Sequence, residues 1–156
     1  MAKKSFAVIG LGQFGSSILR ELVDIGADVI AIDSNKETVQ EASSVVSTVF
    51  EADSTDEKAL KELGVQDVDA AIVAFGGNKE ASVLTTVILR ELGVQQIIVR
   101  VDDDYYLPIM KKLGATEVIT PQKAAGVALA NRLGNSDYKD FYERLNRDFA
   151  LIKILL

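Results

Sequence analysis

The chain contains no histidine and no cysteine. The first absence removes the commonest general base near neutral pH, and the second removes the thiol nucleophile. Together they exclude most zinc sites. The missing cysteine also fits a cytosolic address, where disulfides are rare. No apolar run approaches the roughly 20 residues of a membrane span. The opening Met1-Ala2-Lys3-Lys4 is short and polar and lacks the pattern of a signal peptide. No cluster of Lys and Arg occurs, and the net charge is −6. Nucleic acid, whose phosphates need a basic surface, is therefore not an expected partner. What remains is 156 residues, 48% hydrophobic and 26% charged, enough for one globular domain with a sizeable core and unlike a disordered chain. Carboxylates, lysines and hydroxyls remain for chemistry, but no pair announces itself as acid and base. A cytoplasmic protein without catalytic equipment is expected.

What the chain does have is a glycine motif in context. The apolar run Phe6 to Ile9 reads as a buried strand and leads into Gly10, Gly12 and Gly15, a complete G-x-G-x-x-G. A helical pattern follows, with Phe14, Ile18, Leu22 and Ile25 expected on one face. Strand, glycine turn and helix together raise the motif above chance. Gly10 lets the chain turn off the strand, Gly12 lets a pyrophosphate lie against the backbone, and Gly15 lets helix and strand pack closely. The free N–H groups and positive dipole end of the helix, from Gln13 and Phe14 onward, then face the phosphates. A second strand, Asp28 to Ile32, ends in Asp33, eighteen residues after Gly15. A carboxylate there accepts hydrogen bonds from the hydroxyls of an adenosine ribose. The bland alternative is a tight turn that binds nothing.

The rest of the chain alternates strand and helix signals. Ser34 or Asn35 caps a short helix over 36–44, and Asn35 is read either as that cap or as a ribose neighbour. A third strand is expected near 45–51, followed by Ala52-Asp53-Ser54-Thr55, with Ser54 or Thr55 capping the next helix up to Leu63-Gly64. Asp53 is read as an adenine contact or a loop acid. Ala70 to Phe75 reads as a strand buried on both faces, and Gly76-Gly77-Asn78 ends it where backbone can come near the ligand. A helix over 79–92 precedes a fifth strand, 96–100, whose Arg100 pairs either with phosphate or with a surface acid. Asp102-Asp103-Asp104 reads as a solvated helix start in preference to a metal site. The helix after it carries Tyr105 and Met110, suited to a subunit contact or to the core. A sixth strand over 117–120 and a helix over 121–133 follow. This βα rhythm predicts a doubly wound α/β fold with a six-stranded parallel sheet in the order 3-2-1-4-5-6, and a ligand over strands one and four. The expected domain ends near residue 134. Residues 135–156 form an extension, with a charged helix over 138–146 and an apolar strand over 149–156. That strand is expected to be covered by a second subunit or to begin a further domain.

Along nearly its whole length the sequence resembles the N-terminal RCK (TrkA-N) domain of KtrA/TrkA-type potassium-uptake subunits. The matching stretches are Phe6 to Gly15, Val29 to Asp33, Ala52 to Glu57, Ala81 to Thr86 and Leu113 to Pro121. The resemblance implies a Rossmann fold and a homo-oligomer, dimers building a ring expected to be an octamer, docked beneath a membrane potassium-translocating subunit. Adenine nucleotides (NAD, NADH, ATP or ADP) would bind in the cleft as regulatory ligands. The implied site comprises Gly10, Gly12, Gln13, Phe14, Gly15, Asp33, Ser34, Asn35, Asp53, Ser54, Phe75, Gly76, Gly77, Asn78 and Arg100. Gln13 and Gln122 stand where KtrA-like members commonly carry Arg and Glu, which favours NAD(H), ADP or AMP over ATP with a metal. The alternatives are the cofactor half of an NAD-dependent dehydrogenase and the cytosolic module of a potassium channel.

Overall fold

The computed structural model describes residues 3–135 and residue 146, and they divide into two compact units, one ending at Ile119 and one beginning at Thr120. The first unit holds β1 (Ser5–Ile9), α1 (Gln13–Asp24), β2 (Asp28–Asp33), α2 (Lys36–Ala42), β3 (Val49–Glu51) and α3 (Glu57–Glu62). After a 3-10 turn come β4 (Ala70–Val73), α4 (Lys79–Glu91), β5 (Gln96–Arg100), α5 (Tyr106–Leu113) and β6 (Glu117–Ile119). In the second unit the described element is α6 (Pro121–Gly134), opened by proline at its start, where the missing N–H costs nothing. The charged helix and apolar strand expected over 138–146 and 149–156 lie outside the described residues, apart from helical Asn146.

The sheet is six-stranded, parallel throughout and ordered β3-β2-β1-β4-β5-β6, as the rhythm predicts. Its central strands are buried on both faces because alternate residues feed two cores. Ala7, Ile9, Ile32, Ala71, Val73, Ile97 and Val99 pack with Leu60, Leu89 and Met110 of α3, α4 and α5. Val8, Val29, Ala31 and Ile72 pack with Leu19 of α1 and Ala42 of α2. This double burial explains why the strands read as continuous apolar runs and do not alternate. Chain order reverses between β1 and β4, so the loops at their carboxyl ends part and leave a crevice.

Several local expectations are corrected. On α1 the buried residues are Gly15 and Leu19, with Phe14, Ile18 and Leu22 only partly covered and Ile25 exposed beyond the helix end. Residues 45–48 are not strand: Val45 and Val46 close the turn after α2 by donating to Ala42 O, and β3 keeps three residues. Asp56, and neither Ser54 nor Thr55, caps α3, accepting from the Lys58 and Ala59 amides. Tyr105 precedes α5, exposed and edge-on to Tyr106, while Met110 is in the core.

Candidate functional site

The three glycines of the β1–α1 turn have three different reasons to be glycine. Gly10 has φ of +96°, and a Cβ there would lie 2.8 Å from Phe75 Cβ. A Cβ on Gly15 would lie only 1.8 Å from the Gly10 carbonyl oxygen, so α1 could not seat against the turn. Gly12 is unstrained, and nothing lies within 4 Å of where its Cβ would be. The protein itself therefore does not need Gly12 bare, and the loop is open there to a group from outside. Gly12 is the N-cap of α1, where no side chain caps the helix and no acid stands in the first turn. By contrast α2, α3 and α4 are capped by Asn35, Asp56 and Asn78. The amides at the start of α1 thus stay available to an anion. Ser16 steadies the turn by donating to Leu11 O at 2.8 Å.

Asp33 ends β2 beside this turn, and its orientation is set before any ligand arrives. Its Oδ2 accepts from the Leu11 amide and its Oδ1 from the Asn35 amide, each at 2.8 Å. A carboxylate oxygen has two lone pairs, so each oxygen retains one for a hydroxyl. Ser34 follows at the rim. Asn35 turns away: its side chain accepts from the amide and the hydroxyl of Thr38 as the cap of α2.

The opposite wall comes from two segments. In the first, Asp53 Oδ1 accepts from the hydroxyl of Thr55 at 2.6 Å and from its amide at 2.9 Å. These two donors, the hydroxyl first, hold the Asp53 carboxyl below its ordinary pKa against a smaller opposing effect of burial. Ser54, between them and buried, is tied to the scaffold: its hydroxyl meets that of Thr85 of α4 at 2.8 Å. The second segment is Phe75 to Asn78. Phe75 backs Gly10, Gly77 is exposed, and Asn78 caps α4 by accepting from the Ala81 amide.

Arg100 is already engaged. It pairs with Asp102 at 3.2 Å, reaches Ala74 O at 3.5 Å, and lies 5.4 Å from the centroid of the Phe14 ring. Gly76 is explained by this cluster, since a Cβ there would lie 2.5 Å from Asp102 Oδ2. The acid run thus divides: Asp102 serves Arg100 and Asp103 accepts from the Tyr105 amide. Among the described residues no group of three or more acids is placed to hold a metal ion.

Between these walls lies a cleft of about 550 Å³, within the range of roughly 300–1,000 Å³ that small-molecule sites occupy. It brings together Gly10, Asp33, Ser34, Asp53, Ser54, Phe75, Gly77 and Asn78 of the expected set. Its lining does not include Gly12, Gln13, Phe14, Gly15, Asn35, Gly76 or Arg100. Sequence reasoning missed Ile9, Ile32, Ala52 and Ala81, small or apolar residues that floor the cleft, and Thr55, read only as a cap. The first two could have been found as the last core residues of β1 and β2 before the switch point.

A parallel sheet of this order, a glycine turn with a bare helix end and an acid closing β2 define a Rossmann-type domain of the nucleotide-binding kind. The chain belongs to the TrkA-N domain family, whose model matches residues 6–121. It is 40% identical over 153 residues to Ktr system potassium uptake protein C of Bacillus subtilis strain 168, covering 98% of this chain and 69% of that protein. It is 37% identical over 152 residues to Ktr system potassium uptake protein A of the same organism, covering 97% and 68%. Among solved structures, the NAD(P)-binding domain of an exopolyphosphatase-related protein from Archaeoglobus fulgidus aligns with a TM-score of 0.74 at 26% identity, covering 84% of this chain and 98% of that one. GsuK bound to ADP aligns at 0.75 and 17% identity over 87% of this chain and 36% of that chain, a likeness of fold alone. No helix among the described residues is long and apolar enough to cross a membrane.

Proposed function

We propose that the chain is a nucleotide-sensing regulatory subunit of a membrane potassium transporter. The observation that carries this reading is that the match to the Ktr potassium uptake proteins runs through the whole cleft, from Ile9 to Ala81. The ligand is an adenine nucleotide, NAD(H) or ATP/ADP. The amides of the glycine turn and of Gln13 and Phe14 hold its phosphates, Asp33 holds the ribose and Asp53 faces the adenine edge. Phe75 to Asn78, with Arg100 behind them, take the far side of the ligand. The protein works at the cytoplasmic face of its partner as a homo-oligomeric ring, an octamer by family resemblance.

The occupant is a signal and not a substrate. The two acids of the cleft, Asp33 and Asp53, are held as hydrogen-bond acceptors by backbone or hydroxyl donors, and the chain has no histidine or cysteine to move a proton beside them. A ligand switches the ring only through a difference in its affinity for two shapes. A coupling of about 1–3 kcal/mol is enough for a graded response. The test is capture from membrane extract by the immobilised chain, with and without ADP or NADH. Recovery of a potassium-translocating membrane protein, in an amount that changes with nucleotide, is expected. Recovery of no such protein under any condition contradicts the regulatory reading.

A further inference from the structure

The stretch Ala81 to Thr86 of α4 contributes only Ala81 to the cleft lining, yet it buries hydroxyls where a helix against a parallel sheet ordinarily buries aliphatic groups. The buried residues of α4 are Ser82, Thr85, Thr86 and Leu89. A buried hydroxyl is costly unless it is bonded, so the partners of these hydroxyls are informative. Thr86 bonds back to its own helix, at Ser82 O. Thr85, fully buried, reaches across to Ser54: the two hydroxyl oxygens are 2.8 Å apart, and Thr85 Oγ1 lies 3.3 Å from Ser54 O. One proton arrangement satisfies both contacts, with Ser54 donating to Thr85 Oγ1 and Thr85 donating to the Ser54 carbonyl. Thr85 thereby clamps the backbone and side chain of one residue at once. Ser82 makes a longer contact of the same kind to Phe75 O, in the second segment of the same wall, at 3.4 Å.

The clamped residue stands between Asp53 and Thr55, which line the cleft. Thr55 fixes the Asp53 carboxylate within the turn, and Thr85 fixes the turn to the scaffold. An ionised carboxylate accepts hydrogen bonds and donates none, so where it faces the 6-position of a purine it suits the amine of adenine and opposes the carbonyl of guanine, whose own donors, N1–H and the 2-amine, would have to be shifted into its place. That discrimination holds only while the carboxylate is kept in one place.

We infer that Thr85 is a positioning residue for the base end of the cleft, which through Ser54 sets the affinity for adenine nucleotides and their preference over guanine nucleotides. The inference rests on the nucleotide reading of the cleft, and the experiment separates the two. The chain and its Thr85→Val, Thr85→Ser and Ser54→Ala variants are titrated with ADP and with GDP, and thermal unfolding is recorded for each. The unaltered chain binds ADP more tightly than GDP. Thr85→Val, which keeps the shape and loses the hydroxyl, weakens ADP by about tenfold, the equivalent of one hydrogen bond, and GDP by much less. Thr85→Ser restores the preference. If Thr85→Val does not fold, Ser54→Ala carries the same expectation. A variant that folds and keeps the ADP-to-GDP ratio, or loses both affinities equally, overturns the inference while leaving nucleotide binding intact. Binding of neither nucleotide by the unaltered chain overturns the nucleotide reading itself and this inference with it.

Discussion

The two ends of the cleft are built by different means. At the glycine end the work is done by backbone: a turn at positive φ, a carbonyl packed under Gly15, and free amides at the head of α1. At the other end it is done by side chains, Asp53 with Thr55 and Ser54 with Thr85, the latter pair separated by thirty-one positions in the chain. Asp33 joins the two styles, since a side chain at the end of β2 holds a backbone amide of the glycine turn. A backbone site accepts any phosphate, whereas a side-chain site can choose among bases. On the proposed reading, general capture at one end and selection at the other are therefore separable by mutation.

The largest expected effect comes from Gly15→Ala. Its Cβ cannot coexist with the Gly10 carbonyl, so the turn must move, at about 3 kcal/mol or more for an overpacked contact. Urea unfolding should show a large loss of stability, and an unchanged midpoint would break the picture of a backbone-built end. Next is Asp33→Asn, whose amide must set an NH2 group against either the Leu11 or the Asn35 amide. A loss of about 1–3 kcal/mol in nucleotide affinity is expected by titration. Gly12→Ala is the sharper contrast with Gly15. Nothing in the protein meets its Cβ, so stability should stay within about 0.5 kcal/mol, while affinity for ADP falls by about tenfold or more.

The smallest effect belongs to the base end and concerns pH. Asp53 titrates below its ordinary 3.8 in the folded chain because Thr55 donates to it twice. A depressed folded pKa means that the unfolded chain binds more protons at acid pH. The contribution of this turn is therefore complete above the ordinary carboxylate value and is lost as pH falls through the folded value. Thr55→Val removes the larger of the two donors. Carboxyl NMR should then place the Asp53 titration closer to its ordinary value, and an unmoved titration would show that the hydroxyl does not hold it.

This division between the ends also explains what could be read before the fold was seen. Gly10, Gly12 and Gly15, the continuous apolar strands and Asp33 follow from local backbone requirements and from period, and the sheet order follows from the βα rhythm. Thr85 is invisible to that reading, because a hydroxyl in a helix announces no partner thirty-one residues away. The same holds for Arg100, whose sequence position allows phosphate or acid, and which the structure pairs with Asp102 beneath the bare Gly76. Ser54 lies in the loop its sequence position implies but does not cap α3, because Asp56 accepts from the α3 amides. Leu19 lies outside the expected face of α1 and is buried one turn after Gly15, which itself packs against the Gly10 carbonyl.

The proposed function requires a cleft that takes an adenine nucleotide and gives it back unchanged. Calorimetric titration with ADP and NADH, followed by chromatography of the ligand recovered from the same cell, tests this in one measurement. Saturable binding at one site per chain, lost in Asp33→Asn, with the nucleotide recovered intact is the predicted result. Absence of heat with every adenine nucleotide, or recovery of a converted product, would contradict it.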